Sequence, residues 1–197
     1  MATFGCDSNT TSNSCGNGVY FLPLGGETTA YSNLPTPPAG ATVYVYWNIG
    51  GPGNAPSGQS PTGWGETQAL AFQSAYNTYG ASGTPFGSFS VNTGGWSTST
   101  LSENADVLSA FLAILVDAIA DPGIYLNQNR YDTYLPSGYK FPSSYTLWQA
   151  AWYSGSTPPS CSTVSSDWAN NTFGLGLGGL QATWWQYFGN PDYDIGG

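Results

Sequence analysis

Histidine is absent from this chain of 197 residues, and the basic side chains are two, Arg130 and Lys140, against eleven acids. The first absence removes the Ser-His-Asp triad, the Cys-His dyad and histidine-based zinc sites. Acid–base chemistry therefore falls to carboxylates, helped by tyrosines and amides. The second absence argues against a nucleic-acid partner, because two cations in a chain of net charge −9 cannot neutralise a phosphate backbone. An anionic membrane surface is disfavoured for the same reason. No apolar run reaches the roughly 20 residues of a membrane span. Val107 to Val116 is about half that length and reads as a buried core helix. No spacing of carboxylates resembles a calcium loop, so neither metal nor cofactor is expected. The start, Met1-Ala-Thr-Phe4, has neither a basic segment nor an apolar run. A secreted protein would then stand here in mature form behind an added Met.

What is present points to a globular extracellular domain. Apolar residues make up 40%, enough for a core, so one domain over 1–197 is expected. Only 7% of residues are charged, so solubility rests on Ser, Thr, Asn, Gln and the net negative charge. Cys6 and Cys15 bracket a loop that a disulfide can close; alternatively Cys161 pairs with one of them. Asn9-Thr-Thr11 and Asn170-Asn-Thr172 are glycosylation sequons of a kind common by chance in so Asn- and Thr-rich a chain. Eight Trp and fourteen Tyr serve as core, or as stacking platforms for flat sugar faces.

Strands are expected at Thr3 to Cys6, Val19 to Leu22 (stopped by Pro23), Thr42 to Ile49, Phe86 to Val91, Gly123 to Asn127, Thr146 to Tyr153, Ala182 to Phe188 and Tyr193 to Ile195. Helices are expected from Gly65 to Tyr79, capped by Gly80, and from Leu101 to Ala120, opened by a capping box at Thr100-Leu-Ser-Glu103. A helical turn covers Gln128 to Leu135. The segment around Cys161 reads as a Gly/Ser/Pro loop, and Asp167 to Gly179 as irregular. Strand–helix alternation predicts a parallel sheet. About eight strands predict a closed, modified TIM-like (β/α) barrel, its late helices reduced or missing. Chemistry in such a barrel sits at the C-terminal ends of the strands. That places Asp7, Asn48, Asn92, Asn127, Tyr153, Gln186 and Asp194, or their neighbours, around one mouth.

Several stretches, taken in order, resemble the glycoside hydrolase family 25 lysozymes. Phe4-Gly-Cys-Asp7 resembles that family's opening Gly-x-Asp strand. Pro122-Gly-Ile-Tyr-Leu126 is similar to its fifth strand, Leu147-Trp-Gln-Ala-Ala-Trp-Tyr153 to its sixth, Trp185-Gln-Tyr187 to its seventh and Asp194-Ile195 to its last. Glycoside-hydrolase-like barrels of unknown activity fit about as well. The resemblance implies a barrel acting on peptidoglycan or a related polysaccharide, with Asp7 and Asp194 as its outer acids. At the family's Asp-x-Glu, this chain has Ser90-Val91-Asn92, and Asn cannot protonate a leaving group. Glu66 is the nearest substitute acid. Stacking and lining candidates are Trp47, Asn92, Trp96, Tyr125, Trp152, Tyr153, Trp185, Gln186 and Tyr187. Arg130 is a candidate ion-pair partner of Asp132 or Asp194.

Three function classes follow: a glycan hydrolase, a barrel that binds carbohydrate without cleaving it, and a self-associating structural protein of an extracellular surface. The lost Asp-x-Glu weighs against the ordinary family mechanism.

Overall fold

The computed structural model describes residues 3–7, 15–16, 18–81, 83–89, 93–119, 122–189 and 192–196, with backbone alone at Asp7, Gly189, Asp192, Tyr193 and Gly196. The elements follow in the order β1 (Thr3–Asp7), β2 (Val19–Gly26), β3 (Thr29–Ala30), β4 (Thr42–Asn48), α1 (Pro61–Tyr79), β5 (Pro85–Ser88), α2 (Leu101–Ala118), β6 (Gly123–Asn127), α3 (Gln128–Tyr134), β7 (Thr146–Ala150), α4 (Cys161–Asn170), β8 (Ala182–Gly189) and β9 (Asp192–Gly196). Eight strands close in the ring β1-β2-β4-β5-β6-β7-β8-β9, because β1 pairs with both β2 and β9. The barrel expected from the alternation of elements is formed.

The sheet is not wholly parallel. Strand β9 runs antiparallel to β8 and β1. Two residues join β8 to β9, and so short a connection can only make a hairpin. Pro23 does not stop β2, which continues to Gly26 with a register shift between Pro23 and Gly25 against β4. The extension outruns β1 and pairs with β3 as a hairpin in what reads from sequence as loop.

Inside the ring, Phe21, Tyr46, Phe86, Trp148 and Trp184 form a plug, with Phe21 stacked on Trp148 at 3.9 Å between centroids. The interior is thus a packed core and not a pore. A larger apolar layer lies between the barrel and α1 and α2. Helix α1 begins at Ser60, whose hydroxyl accepts the Gly63 N–H, and ends at Gly80 with φ 73°. The two helices cross closely at Gly65, where a Cβ would stand 2.3 Å from the Val107 carbonyl oxygen.

The capping box at Thr100 is not made, and the Thr100 side chain caps nothing. The Ser97 hydroxyl instead accepts the Ser99 and Thr100 N–H groups. The apolar run in α2 is not buried all round. Val107, Leu108, Phe111, Leu112 and Leu115 face the core, while Val116 is 41% exposed. Helix α4 stands where the sequence suggests loop. It has a weak apolar stripe with Val164 as its buried residue, caps at Ser160 and Asn171, and its first residue is held by the Cys15–Cys161 disulfide. That bond settles the open pairing; Cys6 is buried in the core. Among the described residues, Arg130 does not make the expected ion pair with Asp132 or Asp194. Its guanidinium lies over the Tyr134 ring at 5.5 Å, while the Asp132 carboxylate accepts from Gln128.

Candidate functional site at the barrel mouth

Alternation along a strand decides which candidates reach the mouth. On β8, Trp184 and Gln186 turn inward, so Trp185 and Tyr187 must turn outward. Trp185 and Tyr187 are fully buried against Val164, Leu175 and Ile195, and the Trp185 indole N–H donates to the Ala151 carbonyl at 2.6 Å. Tyr153 joins this outer layer on Phe173 and donates its hydroxyl to Asp167. Burial and the Asp167 bond push the Tyr153 hydroxyl well above its ordinary pKa. Trp47 likewise faces outward on β4, stacked on Phe72 of α1. The structure places these four expected sugar-binding residues in packing layers behind the barrel wall, away from the mouth.

Gln186, Tyr125, Trp152 and Asp194 do come together. The Gln186 amide oxygen accepts from the Tyr125 hydroxyl at 2.7 Å and from the Trp152 indole N–H at 3.0 Å. Gln186 is 3% exposed and Trp152 51%, so a buried amide anchors a ring that stands in solvent. Asp194 is directly opposite Gln186 in the β8–β9 ladder and opposite Gly5 of β1. Its carboxylate is wholly buried and accepts the Trp148 indole N–H at 2.8 Å. Trp148 in turn packs against the Tyr125 ring at 4.4 Å. One aromatic network therefore fixes both the acid and the amide.

Asp7 is the last residue of β1, in register with Phe21. Its side chain lies outside those described, as do Ser90, Val91 and Asn92. Trp96 is half-buried in the connection from β5 to α2 and leans on Phe89 at 4.1 Å. Glu66 is exposed in a groove between α1 and α2, beside Asp106 and Asp117, on the outside of the helical layer. It stands apart from the Asp194 cluster.

Sequence reasoning missed two residues. Trp148 was legible: it lies two residues before Ala150 and four before Trp152, so alternation gives all three one face. Glu27 was not, because it sits in a stretch that reads as polar loop. It follows β2 at the mouth end, and its carboxylate accepts the Asn54 amide N–H at 2.6 Å.

No protein-family model matches the sequence, and no curated protein is similar to it in sequence. Solved structures do match in fold. The family GH25 lysozyme from Aspergillus fumigatus superposes with a TM-score of 0.65 at 17% identity, over 100% of this chain and 94% of that one. The fold is that of the GH25 lysozymes. The lysozyme-like barrel is also similar to the bacterial lysozyme from Streptomyces coelicolor, with a TM-score of 0.63 at 15% identity, over 98% of this chain and 90% of that one. The modular Cpl-1 endolysin, solved with a peptidoglycan analogue, matches with a TM-score of 0.57 at 16% identity, over 91% of this chain and 47% of its own.

Proposed function

We propose that this barrel is an extracellular glycan hydrolase of lysozyme type, acting on peptidoglycan or a related polysaccharide. The observation that carries the reading is the buried Asp194 carboxylate, held by Trp148 beside the Tyr125–Gln186–Trp152 cluster. A carboxylate fixed by an indole N–H is preorganised to stabilise positive charge developing at an anomeric carbon. Trp152 offers an exposed ring to a sugar face, and Gln186 sets its orientation. The disulfide and the scarcity of cations support an extracellular setting.

A second reading, binding without cleavage, is favoured by Ser90 and Asn92 in place of the expected acids. Turbidity loss of a peptidoglycan suspension separates the two. Wild type should clear the suspension, and Asp194→Asn should be slower by about 100-fold or more. Equal rates for the two proteins would remove Asp194 from the mechanism. Binding with no clearance by wild type would establish the second reading.

A further inference from the structure

Cleavage of a glycosidic bond needs a proton donor for the leaving oxygen, and in a chain without histidine that donor is a carboxylic acid. Asp194 is assigned above to stabilise charge at the anomeric carbon, and the Tyr125 proton is given to Gln186. Among the described side chains, the acid that directly follows a barrel strand at its mouth end is Glu27. The pairs Gly26–Asn48, Asn48–Ser88 and Ser88–Tyr125 form one row across β2, β4, β5 and β6. Glu27 is the residue just beyond that row, on the same rim as Tyr125.

The position is built for this side chain. Glu27 has φ 52°, in a two-residue turn between β2 and β3 where glycine or asparagine is the ordinary choice. A strained, non-glycine backbone persists only where its surroundings over-determine it. Here they do: the Glu27 N–H donates to the Asn48 carbonyl, and the Glu27 carbonyl accepts the Trp47 indole N–H at 2.9 Å. Gly50 leaves the room, since a Cβ there would stand 2.8 Å from the Glu27 carboxylate. The Asn54 amide nitrogen donates at 2.6 Å both to that carboxylate and to the Thr93 carbonyl. One nitrogen thus ties the Glu27 carboxylate to the connection that follows β5.

We propose that Glu27 is the proton donor of this site, a catalytic carboxyl supplied from the end of β2. The inference rests on the hydrolase reading above. In the step, the glycosidic C–O bond breaks and its electron pair goes to the leaving oxygen, which takes the Glu27 proton. Asp194 balances the charge at the anomeric carbon. Water then adds there and returns a proton to the Glu27 carboxylate, so that one water is consumed per bond cleaved.

Glu27→Gln tests this. The amide oxygen of glutamine still accepts the Asn54 N–H, so a purely structural role predicts unchanged activity. A proton donor predicts a fall in kcat of about 100-fold or more on peptidoglycan, with KM and melting temperature unchanged. Wild-type turnover with full Glu27→Gln activity would overturn the role of Glu27 and leave the hydrolase reading standing. Absence of wild-type turnover would overturn both. If Glu27→Gln does not fold, Glu27→Asp and Glu27→Asn replace it; the acid should be the more active, and equal activity overturns the proposal.

Discussion

A tryptophan's role in this protein is set by the side of the barrel wall it occupies. Trp152 is half in solvent, and its removal leaves no cavity. Trp152→Ala should leave the urea midpoint unchanged and weaken glycan binding about 5-fold, on the order of 1 kcal/mol for one lost ring contact. Calorimetry with a soluble peptidoglycan fragment measures this. Trp185→Ala should do the reverse. Its ring is wholly buried, so unfolding in urea should show a loss of about 3–5 kcal/mol. The sequence did not separate these two residues, since both belong to aromatic strands. Only the phase of the alternation does, and a one-residue error in phase exchanges mouth and core.

At the scale of elements, local signals and long-range constraints diverge. Helix α1 was legible from its periodic apolar residues and glycine cap. Helix α4 was not, because Ser and Thr dominate it and its first residue is fixed by a cysteine 146 positions away. A crosslink over so long a loop limits the unfolded chain strongly, so reduction with dithiothreitol should lower unfolding stability by about 3–5 kcal/mol. An unchanged midpoint would mean that α4 holds without it. The α1–α2 crossing is similarly specific. Gly65→Ala, neutral or better for an isolated helix, should cost about 1–3 kcal/mol because the added methyl meets the Val107 carbonyl. The capping box at Thr100 shows the converse: the motif is present, but Ser97 takes the Thr100 N–H that the Glu103 side chain would engage.

For the whole molecule, titration follows from its composition. With no histidine, the shifted groups at the alkaline end are tyrosines. Burial raises the hydroxyls of Tyr76, Tyr131, Tyr139, Tyr145 and Tyr153, and the neighbouring Asp167 raises Tyr153 further. The native protein then holds these protons to higher pH than the unfolded chain does. Their stabilisation is complete below about pH 10 and is lost as the pH rises through the native values. Melting temperature should accordingly stay level from pH 8 to about 10 and fall beyond it. Tyr153→Phe should make the fall shallower, at a cost of about 1 kcal/mol at neutral pH for the lost hydrogen bond.

The sequence by itself determined the barrel: strand-forming runs, amphipathic helices and short breaks leave few other ways to bury this much aromatic surface. It also determined that carboxylates carry any acid–base chemistry, by omitting histidine. It nominated Asp194, because an acid between Tyr193 and Ile195 on a short strand is unusual. The tertiary structure decided which aromatics line the mouth, which cysteines join and that Glu27 reaches the rim. Those are matters of strand phase and of contacts between residues far apart in the chain. Local propensity carries no information about them, since each is fixed only when the ring of strands closes.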